Sequence, residues 1–179
     1  MRRGRTPAIG AALLLVGALT AARLEPIGPA RDPAPIVFVC RNGVAMSVWS
    51  AAYFNRLAEE RGLRERAAAR ASIPSYSAVP FSMAVALALD GFRLGGYVPR
   101  VIDARDARHA ALVVAIDTEL PRDVRATASR VDVWAGFPPM REQYFPSRAA
   151  LKLEVAELVA RLAARAEPSP AAAEPRAAD

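Results

Sequence analysis

Cysteine and histidine each occur once in this 179-residue chain, at Cys40 and His109, and that scarcity closes several routes before any motif is considered. One thiol cannot form an intramolecular disulfide, and it cannot pass a disulfide along a chain of partner thiols. His109 lies in Asp106-Ala107-Arg108-His109 with no second histidine or cysteine near it in sequence, so neither a metal site nor a cofactor is expected. Lysine is nearly absent too: Lys152 is the only one, and arginine carries the positive charge. Those arginines are interleaved with acids, as in Glu59/Arg61 and Asp103/Arg105, and form no continuous stripe. The net charge is +6, and setting aside Arg2, Arg3 and Arg5 leaves +3, too little for a nucleic-acid footprint.

A long apolar run is also missing. The stretch from Ala8 to Ala22 falls short of the roughly 18–20 residues that a membrane span requires. Three arginines precede it and small residues Thr20, Ala21 and Ala22 close it, so residues 1–22 read as a signal peptide and the protein as exported, periplasmic or extracellular. Left uncleaved, residues 8–22 would instead be an N-terminal anchor and a membrane tether. No cysteine follows the run, which argues against a lipid-modified terminus. Export places Cys40 in an oxidising compartment, either free or paired with another molecule.

What is present divides simply. Residues 23–35 contain Pro26, Gly28, Pro29, Pro33 and Pro35 and read as an extended linker. Residues 166–179 are alanine, proline and charge with no large apolar group, so a disordered tail is expected. Between them, residues 36–165 suffice for one α/β domain.

Within that domain, Ile36-Val37-Phe38-Val39 is a short continuous apolar run, the pattern of a parallel strand covered on both faces, and it ends at Cys40. Residues 47–61 switch to helical spacing, with Trp49, Tyr53 and Leu57 on one face and Gly62 as a stop. A second helix is expected from about Ser82, as N-cap after Pro80, to Gly91. Ala111 to Ile116, closed by Asp117, reads as another buried strand, and Val131-Asp132-Val133-Trp134 as a shorter alternating one. A last helix is expected after Pro146, capped by Ser147, with Leu151, Val155, Leu158 and Leu162 on its apolar face. Strands alternating with helices argue for a parallel sheet.

In such a sheet ligands favour the carboxyl ends of strands, where the next helix aims free N–H groups and its positive end into the crevice. Cys40-Arg41-Asn42-Gly43-Val44-Ala45-Met46-Ser47 occupies that position, and its small residues can wrap backbone N–H groups around an oxyanion. A thiolate at the mouth of such a nest would be stabilised as a nucleophile.

Val37-Phe38-Val39-Cys40, the loop to Ser47 and the helix after it resemble the opening of the low-molecular-weight tyrosine phosphatase family, which includes arsenate reductases. Leu89-Asp90-Gly91, Ala110 to Asp117, Trp134-Ala135-Gly136-Phe137-Pro138 and the closing helix agree in order and spacing. The resemblance implies a phosphatase-like α/β domain over residues 36–165: a four-stranded parallel sheet flanked by helices in three layers, with Cys40 as nucleophile and Ser47 hydrogen-bonded to its thiolate. Ser47 could equally be only the helix cap.

Two departures touch chemistry. The family loop carries arginine where this chain has Met46, and the glycine-asparagine pair appears reversed as Asn42-Gly43. That arginine grips two phosphoryl oxygens, which a thioether cannot do. The family's Asp-Pro pair, whose aspartic acid protonates the leaving group, corresponds to Pro138-Pro139. Three readings follow: a weak or inactive phosphatase-like protein that binds a phosphorylated or other anionic ligand; an active phosphomonoesterase with a rearranged set, Arg41 or Arg100 as clamp and Glu142 as acid; or a protein-interaction module, its partner unknown, in which Cys40 only packs. Disulfide-relay arsenate reduction is excluded by the single cysteine.

Overall fold

The computed structural model describes residues 24–27, 35–74 and 76–166. In chain order these form β1 (Glu25–Ile27), β2 (Ile36–Cys40), α1 (Met46–Glu60), β3 (Ala67–Ala71), α2 (Phe81–Leu89), β4 (Phe92–Leu94), α3 (Ala104–His109), β5 (Leu112–Ile116), α4 (Arg122–Thr127), β6 (Val131–Trp134) and α5 (Tyr144–Ala166). Four strands build a parallel sheet in the order β3-β2-β5-β6. Alternate residues of its inner strands feed two cores, as a two-residue side-chain period requires. Ile36, Phe38, Val114 and Ile116 pack with Val48, Leu151, Val155 and Leu158 of α1 and α5, while Val37, Val39, Val113 and Ala115 pack with Ala107 of α3 and Val124 of α4. The result is the expected α/β fold with helices on both faces.

One strand of the four carries no sequence signature. Ala67–Ala71 reads AAARA, good helix formers around an arginine, yet it is buried throughout as an edge strand. Small side chains are what the position demands, because Ala67 and Ala69 lie in the same core as Ala51, Ala52 and Ala58 of α1. The open edge is capped piecemeal. Asn55 imitates a neighbouring strand, its Nδ2 donating to the Ala67 carbonyl at 3.0 Å and its Oδ1 accepting from the Ala67 N–H at 2.7 Å. At the other end Ala71 N–H donates to Arg100 O and Ala71 O accepts from Ile102 N–H, both at 2.9 Å. Arg70, fully buried, holds Asp106 with Nε to Oδ2 and Nη2 to Oδ1 at 3.0 Å each.

Three expectations need correction. The linker is not wholly outside the ladders: Glu25–Ile27 pairs in parallel with Phe92–Leu94. Glu25 N–H donates to Gly91 O and Ile27 O accepts from Gly95 N–H, so ladder bonds come from the residues on either side of Pro26, which has no N–H to give. Ser82 does not cap α2, which begins one residue earlier with Pro80 at the N-cap and no side-chain cap. Nor does Ser147 cap α5. That helix starts at Tyr144, and Ser147 N–H already donates to Gln143 O at 3.1 Å. Pro146 falls in the first turn, where its missing N–H would have had no helical partner. Residues 1–22, and the expected tail apart from Ala166, lie outside the described residues.

Candidate active site

In the order β3-β2-β5-β6 the chain leaves β2 toward one edge and returns through β5 on the other side, so the carboxyl ends of β2 and β5 flank the switch point of the sheet. Cys40 closes one and Asp117 follows the other. Between them and α2 opens a cavity of about 550 Å³ whose lining includes Cys40, Arg41, Met46, Met83, Met140 and Tyr144.

The loop is built from below. Gly43 has φ +63, and a Cβ on it would lie 2.9 Å from Ala71 N and 3.1 Å from Arg70 C. Glycine meets this φ and this close approach without strain. The buried Tyr97 hydroxyl donates to Gly43 O at 2.7 Å, and burial, with the nearby Cys40, pushes its pKa well up, keeping it a donor. Ser72 N–H donates to the carbonyls of Cys40 and Arg41 at 3.0 and 3.2 Å. With its carbonyls tied down at the rim of β3, the loop leaves the backbone N–H groups of Asn42, Gly43, Val44, Ala45 and Met46 without an acceptor among the described residues. Five such donors at the start of α1 carry a local positive potential.

Cys40 is 7% exposed, and its Sγ lies 3.1 Å from the Oγ of fully buried Ser47. Of the two roles open to Ser47, helix cap is overturned: the N-cap position is Ala45, and Ser47 stands within the first turn with its hydroxyl turned to the sulfur. Arg41 is exposed, Asn42, Ala45 and Met46 are half-buried, and Gly43 and Val44 are buried. Arg41 and Glu142 both line the cavity; Arg100, the other clamp expected from sequence, does not. Arg100 instead donates to Asp106 Oδ1 at 2.8 Å and to Asp103 Oδ2 at 3.3 Å. His109 is exposed, its Nδ1 2.8 Å from Arg105 O, and no cluster of metal-ligating side chains occurs among the described residues.

Sequence reasoning missed four residues. Asp117, at φ +44, holds the following loop through Gly136 N–H at 2.7 Å and Phe137 N–H at 3.0 Å. Its position at the end of an apolar strand was the available signal. Arg141 reaches the cavity and Tyr97 the loop by long-range packing that no local pattern announces. Asp90 lies beneath the cavity wall, where its Oδ2 accepts from Trp49 Nε1 and from Tyr144 Oη at 2.6 Å each, and Arg148 Nε lies 2.7 Å from Oδ1. Burial first, then the bond to Asp90, raises the Tyr144 pKa and fixes it as a donor. Trp49 and Tyr53 stack at 4.9 Å between centroids; Trp49 is core.

The profile of the family described as "Low molecular weight phosphotyrosine protein phosphatase" matches residues 35–145. No curated protein matches the sequence. Among solved structures, an arsenate reductase from Archaeoglobus fulgidus is 23% identical over 70% of this chain and 98% of its own, with a TM-score of 0.55. YfkJ from Bacillus subtilis is 17% identical over 76% of this chain and 99% of its own, with a TM-score of 0.63. A low molecular weight protein tyrosine phosphatase from Bacillus subtilis is 19% identical over 71% and 95%, with a TM-score of 0.60.

Proposed function

The chain belongs to the low molecular weight phosphotyrosine protein phosphatase family, and on that footing we propose that it is an exported, phosphatase-like protein that binds phosphate-type anions at Cys40 to Ser47 with little or no turnover. The observation that carries the reading is the row of acceptor-free N–H groups from Asn42 to Met46 beside Cys40, with Met46 where the family has arginine. Binding an oxyanion needs those amides and no particular side chain.

Turnover needs more. As Cys40 Sγ bonds to phosphorus, the bond to the leaving oxygen breaks, charge spreads over the equatorial oxygens, and the departing oxygen requires a proton. Met46 cannot grip those oxygens, and loss of one pre-organised donor alone costs on the order of 10²–10³ in rate. Pro138 has no proton to give, a further loss of roughly 10²–10⁴. Asp117 is no replacement, because both its oxygens are engaged by N–H groups of the neighbouring loop.

One observation favours a second reading, an active phosphomonoesterase with a rearranged set: Arg41, Arg141 and Glu142 all line the cavity. Hydrolysis of an aryl phosphate with a good leaving group separates the two. The first reading requires a rate far below that of ordinary family members; a normal rate abolished by Cys40→Ser establishes the second. Alkylation of Cys40 at neutral pH tests the shared premise. Slowing by inorganic phosphate supports anion binding beside the sulfur, and a thiol inert with or without phosphate leaves only an interaction module with a structural cysteine.

A further inference from the structure

Helix α2, Phe81–Leu89, contains no charged residue, and only Met83 and Leu87 of it are buried. The face away from them is apolar as well. Phe81 is 83% exposed, Val85 45% and Leu89 72%, at four-residue steps that align them along one side of the helix. A helix whose buried and exposed stripes are both apolar has an unpartnered apolar face, and an exposed patch of this kind marks an interaction surface.

We infer that this face of α2 seats the protein on an anionic lipid bilayer, the same bilayer that residues 8–22 would engage when left uncleaved as an N-terminal anchor. The first argument is where that segment joins the fold. Glu25 N–H donates to Gly91 O at 2.8 Å, and Gly91 is two residues past Leu89. The pairing of Glu25 with Phe92 therefore fixes the chain at the C-terminal end of the exposed stripe. The apolar stretch ends at Ala22, and two residue steps from there to Leu24 span about 7 Å when extended. A segment held in a bilayer thus brings the stripe to the bilayer surface.

The second argument is charge. The acids beside the stripe are already neutralised: Asp90 is held by Arg148 at 2.7 Å, and Glu25 by Arg56 at 2.9 Å. Arg93 stands exposed in β4 immediately after the helix. Apolar residues flanked by arginine, with no bare carboxylate among them, suit an interface of anionic headgroups better than a polar protein surface. The opposite side of α2 supplies Met83 and Ala86 to the cavity, so its mouth would sit within one helix width, about 10 Å, of the headgroups.

The full chain, with tryptophan placed on this face, tests the inference. Trp49 and Trp134, at 1% and 8% exposure, give a buried background emission. Phe81→Trp adds a probe on the stripe and Leu153→Trp a control on α5, where Leu153 is 73% exposed. Each is bound to vesicles of equal parts phosphatidylglycerol and phosphatidylethanolamine, with plain or brominated acyl chains. The added emission of Phe81→Trp is expected to shift to the blue and to be largely lost in brominated vesicles, while that of Leu153→Trp changes in neither respect. Two results overturn the inference: protein that floats with the vesicles while Phe81→Trp stays unquenched, or a blue shift without vesicles that grows with protein concentration and so reports a second copy on the face.

Discussion

Two loops face each other across the cavity, and they differ in what they keep. The loop from Cys40 to Ser47 is set by backbone and sterics: the αL glycine against Ala71, the Tyr97 tie to Gly43, and the Ser47 hydroxyl 3.1 Å from the thiol. Residues 135–142 keep their anchor through Asp117 but have Pro138-Pro139 where the family's acid stands. Met46 extends the contrast into the first loop, where a side-chain clamp is gone and the amides around it persist. On the proposed reading, capacity to bind an anion is separable from capacity to turn it over, because the first is written in the main chain and the second in side chains.

The largest expected effect lies at the buried Arg70–Asp106 pair. Asp106→Ala should cost about 3–5 kcal/mol of folding stability in urea titration, because it removes the carboxylate that pairs with the buried Arg70 guanidinium. The same pair sets an acid limb. Burial opposes ionisation of Asp106, but the hydrogen bond and charge of Arg70, with Arg100, more than offset it and hold its pKa below 3.8. The stability this confers is complete above the ordinary carboxylate range and is lost as pH falls through the depressed value. Asp106→Asn should remove this part of the acid dependence. Asp106→Ala with no loss of stability would mean that the pair does not hold β3 to α3.

Next in size, Met46→Arg should raise aryl phosphate turnover by on the order of 10²–10³ if the cradle is intact. An unchanged rate would show that the first loop has lost more than its clamp. Gly43→Ala should then cost roughly 1–3 kcal/mol, from the left-handed backbone and the 2.9 Å approach to Ala71 N, and should abolish protection of Cys40 by phosphate. Smallest, Tyr97→Phe should cost about 1 kcal/mol and weaken that protection, since it frees the Gly43 carbonyl and leaves the amides in place.

The sequence made half of this contrast legible. Continuous apolar runs marked β2 and β5, the shorter alternating stretch marked β6, and helical spacing marked α1. The loop followed from its place between strand and helix. Ala67–Ala71 was illegible because its strand character comes from α1 packing on small side chains and from Asn55 capping its edge, both long-range facts. Its Arg70 gave no sign of burial, since only folding brings Asp106 to it. The start of α5 was placed too late because proline suggests a boundary, whereas one in the first turn gives up no bond. Arg141 and Tyr97 reach the site across the fold, and spacing along the chain says nothing of either.

The most direct test of the cradle is an amide NMR titration of the full chain with inorganic phosphate. The N–H resonances of Asn42, Gly43, Val44, Ala45 and Met46 should move together and saturably, with those of residues 158–166 at the far end of α5 unmoved, and Cys40→Ser should bind as well. Loop resonances that stay still at phosphate concentrations that protect the thiol, or that never respond at all, would contradict the account.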